Sequence, residues 1–260
     1  MSEYWSSGSH PLPALNHPWL RADGIFETMK TMSGKTYFLD RHLQRFARSA
    51  SALDLVSPII DEIRAKIIEL VSQDSLNRGR LRLTYFSNGD YLVTHHGFDV
   101  DPTSQFSLGL AEHPRFSSSL LSGHKTLAYT EASFGFRIAQ RHGWEDLLYL
   151  NERSEVVETG LANILVEIEG QLGTPPLSSG ALPGIVREVL LEKFPEIEER
   201  TFSLDELLKA DGLYLLSSIR EIHPITTLDI NGARHPFTQS ERVEGIRQAY
   251  LEGSESEAVS

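Results

Sequence analysis

The chain has no cysteine among its 260 residues. Disulfides, thiol nucleophiles and thiolate metal sites are therefore excluded. It also lacks an apolar run of about 18 residues, the length a membrane-spanning helix needs. Its start has neither the basic segment nor the apolar core of a secretory signal, so the expected location is the cytoplasm, with no membrane partner. Positive charge is in short supply: 24 Lys+Arg stand against 36 Asp+Glu, a formal net charge of −12. A protein that tracks a phosphate backbone carries a basic stripe, and none is present, so no nucleic-acid partner is expected. No Gly-x-Gly-x-x-Gly, Walker loop or His-Glu-x-x-His occurs, and no metal is expected.

What is present is an ordinary globular composition, 40% hydrophobic and 23% charged, in a chain long enough for one large domain or two modest ones. Residues 1–18 read as an irregular arm. Residues 25–31 read as a strand, turned at Ser33-Gly34 into residues 36–38. Asp40 is a plausible N-cap for a helix with Leu43, Phe46, Ala50 and Leu53 on one face. Ile60, Ile63, Ile67 and Val71 mark a second helix. Strands are expected around Leu81–Tyr85, Tyr91–His95 and Phe106–Ala111. Residues 113–123 read as a linker. Beyond it come a strand over 125–129, a helix over 131–142 ending at Gly143, and strands over 146–150, 163–168 and 213–216. The Pro- and Gly-rich loop 174–184 opens into a helix over 185–194. Ser203 and Glu206 form a capping box. A last helix carries Val243, Ile246 and Leu251, and the polar tail from Gly253 reads as disordered.

Only six lysines occur: Lys30, Lys35, Lys66, Lys125, Lys193 and Lys209. Lys125 is set apart by Gly123-His124 before it and Leu127-Ala128-Tyr129 after it. Alone, it reads as a solvated lysine at a strand start. The helix start after Pro183-Gly184 has outward amides that suit an anion on Gly184, Ile185 and Val186, or it is simply a helix begun after proline. Ser122-Gly-His-Lys125 matches Ser-x-x-Lys, but the companion motifs of acylating enzymes are missing, so the match is chance. His95-His96 reads as a solvated pair, and residues 196–200 as a solvated charged face.

Five segments in order carry a resemblance over residues 22–232. They are Asp23-Gly-Ile-Phe-Glu-Thr28, Leu39-Asp-Arg-His-Leu-Gln-Arg45, Lys125-Thr-Leu, Glu158-Thr-Gly-Leu-Ala-Asn163 and Leu182-Pro-Gly-Ile-Val-Arg187. Together they resemble the class IV, fold-type IV family of pyridoxal-phosphate enzymes. That family includes D-amino-acid and branched-chain aminotransferases and 4-amino-4-deoxychorismate lyases. The resemblance implies an α+β, two-domain fold like that of D-amino-acid aminotransferase. The expected division is a small N-terminal domain over 1–121 and a larger cofactor-binding domain over 122–260, with pyridoxal 5'-phosphate in the cleft between them and a homodimer as the assembly. It implies that Lys125 bonds the cofactor aldehyde and that Glu158 keeps the ring nitrogen protonated. Arg45 and the Gly184, Ile185 and Val186 amides would hold the phosphate, and Ser217 and Ser218 complete the cofactor set.

Within the family, Leu216-Ser-Ser-Ile-Arg-Glu-Ile-His-Pro-Ile225 and Thr28 resemble the aminodeoxychorismate lyases more than the aminotransferases. The implied reaction converts 4-amino-4-deoxychorismate to 4-aminobenzoate and pyruvate, a step of folate precursor synthesis, with Thr28 assisting proton delivery. The alternative is an aminotransferase for branched-chain or D-amino acids with 2-oxoglutarate. A third reading is a cofactor-holding protein without turnover. It is suggested by departures from the family pattern: no Asp-Arg before the first strand, Ala128 for an asparagine, and Ser87-Asn88 for Arg-Gly.

Overall fold

The computed structural model describes residues 3–6, 18–74, 76–99, 101 and 104–260. Among these, three β-sheets and six α-helices make an α+β fold. The chain divides into two compact units. One comprises Met1–Val100, His124–Tyr129 and Leu251–Ser260; the other comprises Asp101–Gly123 and Thr130–Tyr250. Sequence reasoning drew one boundary at 121/122, whereas the chain passes between the units at four places.

The first unit is built on a six-stranded sheet. Its order is Glu3–Ser6, Tyr91–Gly97, Arg78–Phe86, Gly24–Met32, Lys35–Tyr37 and Ala258–Val259. Strand alternation sends Ile25 and Met29, with Leu81, Leu83 and Val93, to one face. The helices Leu39–Ala52 and Ile60–Gln73 bury Leu43, Phe46, Ala50, Ile63, Ile67 and Val71 against it. These are the helix faces the 3.6-residue period predicts. The opposite sheet face carries Phe26, Thr28, Thr84 and Arg82, since Phe26 pairs with Thr84 and Thr28 with Arg82.

Several local expectations are corrected. Residues 3–6 of the arm form an edge strand paired with Tyr91–Gly97; residues 7–17 lie outside the described residues. Asp40 is not the N-cap. Phe38 takes that place in a left-handed conformation, φ 56°, and Asp40 sits exposed in the first turn, bonded to Arg64. The tail is ordered: the last helix runs Glu241–Ser254, and Ala258–Val259 pairs with residues 36–37. Hydrogen bonds from Tyr37 to Glu255 and from Arg41 to Glu257 (2.7 Å) give its polar residues partners that composition alone does not reveal. His95 is buried, 3.0 Å from Asp74 and 2.7 Å from Thr31 Oγ1.

The second unit stacks two five-stranded sheets. One is ordered Ile197–Glu199, Gln171–Thr174, Asn163–Ile168, Gly212–Ser217, Glu221–Ile225. The other is ordered Ala233–Pro236, Thr227–Ile230, Ser107–Leu110, Asp146–Leu150, Val156–Thr159. Leu108, Leu148 and Val156 of one meet Ile164, Val166 and Leu213 of the other in a shared core with Phe202 and Leu207. The helices Thr130–His142 and Ile185–Lys193, the short helix Leu204–Leu207 and residues 241–250 of the last helix complete the unit, and Leu204–Leu207 carries the expected Ser203–Glu206 capping box. The expected linker 113–123 is no free connector. Arg115 bridges Asn151, and Ser117 bonds Glu152 at 2.6 Å.

Candidate active site

Of the residues singled out from the sequence, Thr28, Arg45 and Lys125 belong to the first unit. Glu158, Gly184, Ile185, Val186, Ser217 and Ser218 belong to the second.

Lys125 is not on a strand. Its segment joins the sheet through one bridge, Thr126 to Ile25, with the Phe26 amide donating to the Lys125 carbonyl (2.8 Å) and the Leu127 amide to that of Gly24 (2.9 Å). The helix beginning at Thr130 leaves no length for further pairing. Gly24 makes this approach possible, because a Cβ there would meet the Tyr85 carbonyl at 2.1 Å and Leu127 at 3.0 Å. The half-buried Lys125 Nζ lies 4.5 Å from the Phe26 ring centroid, and the Arg82 guanidinium carbon lies 3.7 Å from the same centroid. Both are cation–π contacts. Burial pushes Arg82 down from its ordinary value. Thr28 is half-buried beside Arg82 in register.

Arg45 is buried, and its side chain grips Glu27: Nε donates to Oε1 at 2.8 Å and Nη2 to Oε2 at 2.6 Å. His42, one turn earlier, places Nδ1 2.8 Å from Glu27 Oε2. Burial alone would raise the Glu27 carboxyl, but the Arg45 charge and the bonds from His42 and Arg45 bring it down to about 2. His42 is pushed down by burial, against the pull of Glu27, and its Nδ1 donates to the Glu27 carboxylate, which can only accept. Further along the same helix, Ser49 lies 3.0 Å from Nδ1 of His124, the residue before Lys125.

In the second unit, Glu158 is buried on the Val156–Thr159 strand, which sequence reasoning did not anticipate. It pairs with Tyr149, next to a register shift that sets Leu150 opposite Val156. Its carboxylate accepts from Arg115, Asn163 and Leu182. Arg115 Nη1 reaches Oε1 at 2.6 Å, while Asn163 Nδ2 and the Leu182 amide reach Oε2 at 2.9 and 3.1 Å. Thr159 and the buried Asp146 brace the following turn by accepting from the Leu161 amide at 3.3 and 3.0 Å. Asn163 also donates to the Leu182 carbonyl at 2.9 Å, tying Glu158 to the loop that precedes the helix Ile185–Lys193. Gly184 is that helix's N-cap, and a Cβ on it would fall 1.9 Å from Asn163 Oδ1. Ile185 and Val186 offer helix-start amides, and Arg187 anchors the helix to the Pro175 carbonyl (2.9 Å) and Glu199 (2.8 Å). Ser217 ends its strand, accepting from the Arg220 amide at 3.1 Å; Ser218 follows, half-buried.

Glu27, His42, Arg82, Arg115 and Asp146 were not singled out from the sequence. Glu27 and His42 lie inside quoted motifs, and Arg82 was read as a strand's polar alternate. Arg115 sat in the supposed linker and gave no signal.

The family described as amino-transferase class IV matches residues 24–228. The chain belongs to the class IV aminotransferases. A D-alanine aminotransferase from Listeria innocua serovar 6a is 26% identical over 243 residues, covering 83% of each chain. A Mycobacterium tuberculosis bifunctional aminodeoxychorismate lyase / D-amino acid transaminase is 27% identical over 250 residues, covering 84% of this chain and 86% of its own. In fold, the protein is similar to a hypothetical aminotransferase from Mycobacterium tuberculosis in its pyridoxal-phosphate-bound form. The TM-score is 0.80 at 21% identity, over 95% of this chain and 94% of the other.

Class IV aminotransferases use pyridoxal 5'-phosphate, and the residues present suit it. A buried carboxylate oriented by Arg115, Asn163 and Leu182 fits a protonated ring nitrogen. The first-turn amides of Ile185–Lys193, which follow Gly184, are the kind of backbone donors that phosphate takes, while the Gly184 amide itself donates to the Leu182 carbonyl at 2.8 Å. A half-buried lysine against an aromatic face fits an aldehyde-bonding amine.

Proposed function

We propose that this class IV enzyme is a lyase that converts 4-amino-4-deoxychorismate to 4-aminobenzoate and pyruvate. The observation that carries the reading is the sheet face around Phe26. It sets the Thr28 hydroxyl opposite Arg82, with the Lys125 amine on the same aromatic ring. A guanidinium suits a substrate carboxylate. A hydroxyl beside it suits delivery of a proton to a departing group.

In this reading Lys125 holds the cofactor until the substrate amine replaces it, and then takes the proton from the ring carbon bearing nitrogen. The bound cofactor supplies an electron sink for that carbon. Glu158 keeps the ring nitrogen protonated. Arg45, the helix-start amides after Gly184, and Ser217 and Ser218 hold the phosphate. Arg82 holds a substrate carboxylate. Thr28 passes a proton to the methylene carbon of the enolpyruvyl group as its bond to the ring breaks. One proton leaves the ring carbon and one arrives on the leaving group. The two products together contain the atoms of the substrate, so no water is consumed.

The second reading, supported by the names of the relatives, is an aminotransferase for D-amino or branched-chain acids with 2-oxoglutarate, in which Lys125 returns the proton to the cofactor side. The assay that separates them gives the purified holoenzyme aminodeoxychorismate and measures aminobenzoate and pyruvate. In parallel, stoichiometric D- or branched-chain amino acid is supplied without acceptor while cofactor amination is followed. Aminobenzoate release without amination supports the lyase. Amination without aminobenzoate overturns it, and neither outcome supports the reading without turnover. A cytoplasmic homodimer is proposed as the working form, with sedimentation as the check on assembly.

A further inference from the structure

We propose that Arg115 is a positioning residue that keeps the proton shared by Glu158 and the cofactor ring on the ring nitrogen. The inference rests on the reading of Glu158 given above and adds a residue to it. Arg115 is held on three sides. Its amide donates to the Leu150 carbonyl at 2.8 Å, its guanidinium carbon lies 4.2 Å from the Tyr149 ring centroid, and Nη1 spans Glu158 Oε1 (2.6 Å) and the Thr159 carbonyl (3.3 Å). Tyr149 is also the register partner of Glu158. The arginine therefore lies along the same strand pair as the carboxylate, fixed by a ring rather than by solvent.

Asn163 and the Leu182 amide, which also donate to Glu158, are neutral and both address Oε2. They orient the group but bring no charge. Arg115 brings the charge, to the other oxygen, in a pair whose side chains are only 19% and 11% exposed. Its field also reaches buried Asp146, which burial raises and Arg115 lowers. Charge matters here for a specific reason. A carboxylate and a ring nitrogen sharing a proton in a poorly solvated place can sit as an ion pair or as two neutral groups. A guanidinium bonded to the carboxylate makes it a weaker base and stabilises its negative form. The proton then stays on nitrogen, the state that lets the ring accept carbanion charge.

The test loads wild type, Arg115→Gln, Arg115→Met, Arg115→Lys and Glu158→Gln with cofactor labelled with nitrogen-15 in the ring, and records the ring-nitrogen chemical shift. Cofactor affinity and the melting temperature of each apoprotein are measured alongside. The expected result is a protonated shift in wild type and R115K, and a move most of the way to the neutral value in R115Q and R115M. Apoprotein melting of R115Q should fall within a few degrees of wild type. R115Q keeps a donor but not the charge, and R115K keeps the charge but not the guanidinium, so a shift that moves in R115Q and holds in R115K separates charge from a merely structural role. A wild-type shift in R115Q and R115M, with a moved shift in E158Q, overturns the proposal and leaves the Glu158 reading standing. An unmoved shift in E158Q fells the Glu158 reading itself. If neither R115Q nor R115M folds, Arg115 is a folding residue and the proposal is overturned.

Discussion

Replacing Arg45 with alanine would leave the Glu27 carboxylate fully buried with only His42 against it. The Glu27 carboxyl is held from 4.5 down to about 2 in the fold, which corresponds to about 3 kcal/mol of linked stability. Removing one partner of a buried ion pair costs roughly 3–5 kcal/mol, so two routes reach the same size. The sign follows from the lowered value. The contribution is fully present above about 4.5 and is lost as pH falls from about 4.5 through about 2. In R45A the burial penalty on Glu27 stands largely unopposed, so the folded carboxyl rises and gains a proton more readily. The gap between wild type and R45A should be widest near neutrality and should narrow in acid. Urea unfolding of the two apoproteins at pH 7 and at about pH 4 measures it. The expected gap is ~3 kcal/mol at pH 7, partly recovered by adding Glu27→Gln, which removes the stranded charge. A gap under about 1 kcal/mol at pH 7, or one that does not narrow in acid or with E27Q, would refute the reasoning. Cofactor affinity is a separate readout, expected to fall about tenfold to a hundredfold through the lost charge-assisted bond.

Borohydride reduction of the holoenzyme should leave a covalent cofactor adduct on the peptide containing Lys125; mass mapping to another of the six lysines would reassign the site. Glu158→Gln should retain cofactor binding and lose most turnover, since an amide cannot hold the ring nitrogen's positive charge; a near wild-type rate would make Glu158 a structural residue. Gly184→Ala should weaken cofactor binding and destabilise the fold by about 1–3 kcal/mol, because the new methyl falls 1.9 Å from Asn163 Oδ1 and pushes on a ligand of Glu158. Titration and denaturation of G184A measure both effects.

Long periodic segments were legible. The faces of the helices Leu39–Ala52 and Ile60–Gln73 and the alternation of Arg78–Phe86 follow directly from residue order. The order of short motifs was legible too, and it pointed to the family that the match over residues 24–228 supports. The strand Val156–Thr159 was not, because it is four residues long and buried throughout, with no alternation to read. Pairings across long sequence gaps were equally hidden. Glu27 meets Arg45, Arg115 meets Glu158, and Arg41 meets Glu257 only once the sheets form. A polar tail reads as disordered when the arginine, tyrosine and open strand edge that receive it lie more than two hundred residues away.

That last pairing has a consequence for the order of events on the ribosome. The Lys35–Tyr37 strand emerges early, yet its outer edge is paired by Ala258–Val259. Until those residues leave the exit tunnel, the edge presents unpaired amides and carbonyls to any passing chain. The segment His124–Tyr129 must likewise return to the same unit after residues 101–123 have departed from it. The first unit therefore cannot mature as synthesis proceeds, and a fragment ending near residue 100 would lack both its closing strand and Lys125. Chains stalled or truncated before Ala258–Val259 should be disproportionately prone to aggregate, and ribosome-bound nascent chains should gain protease resistance in that unit only once that strand has emerged.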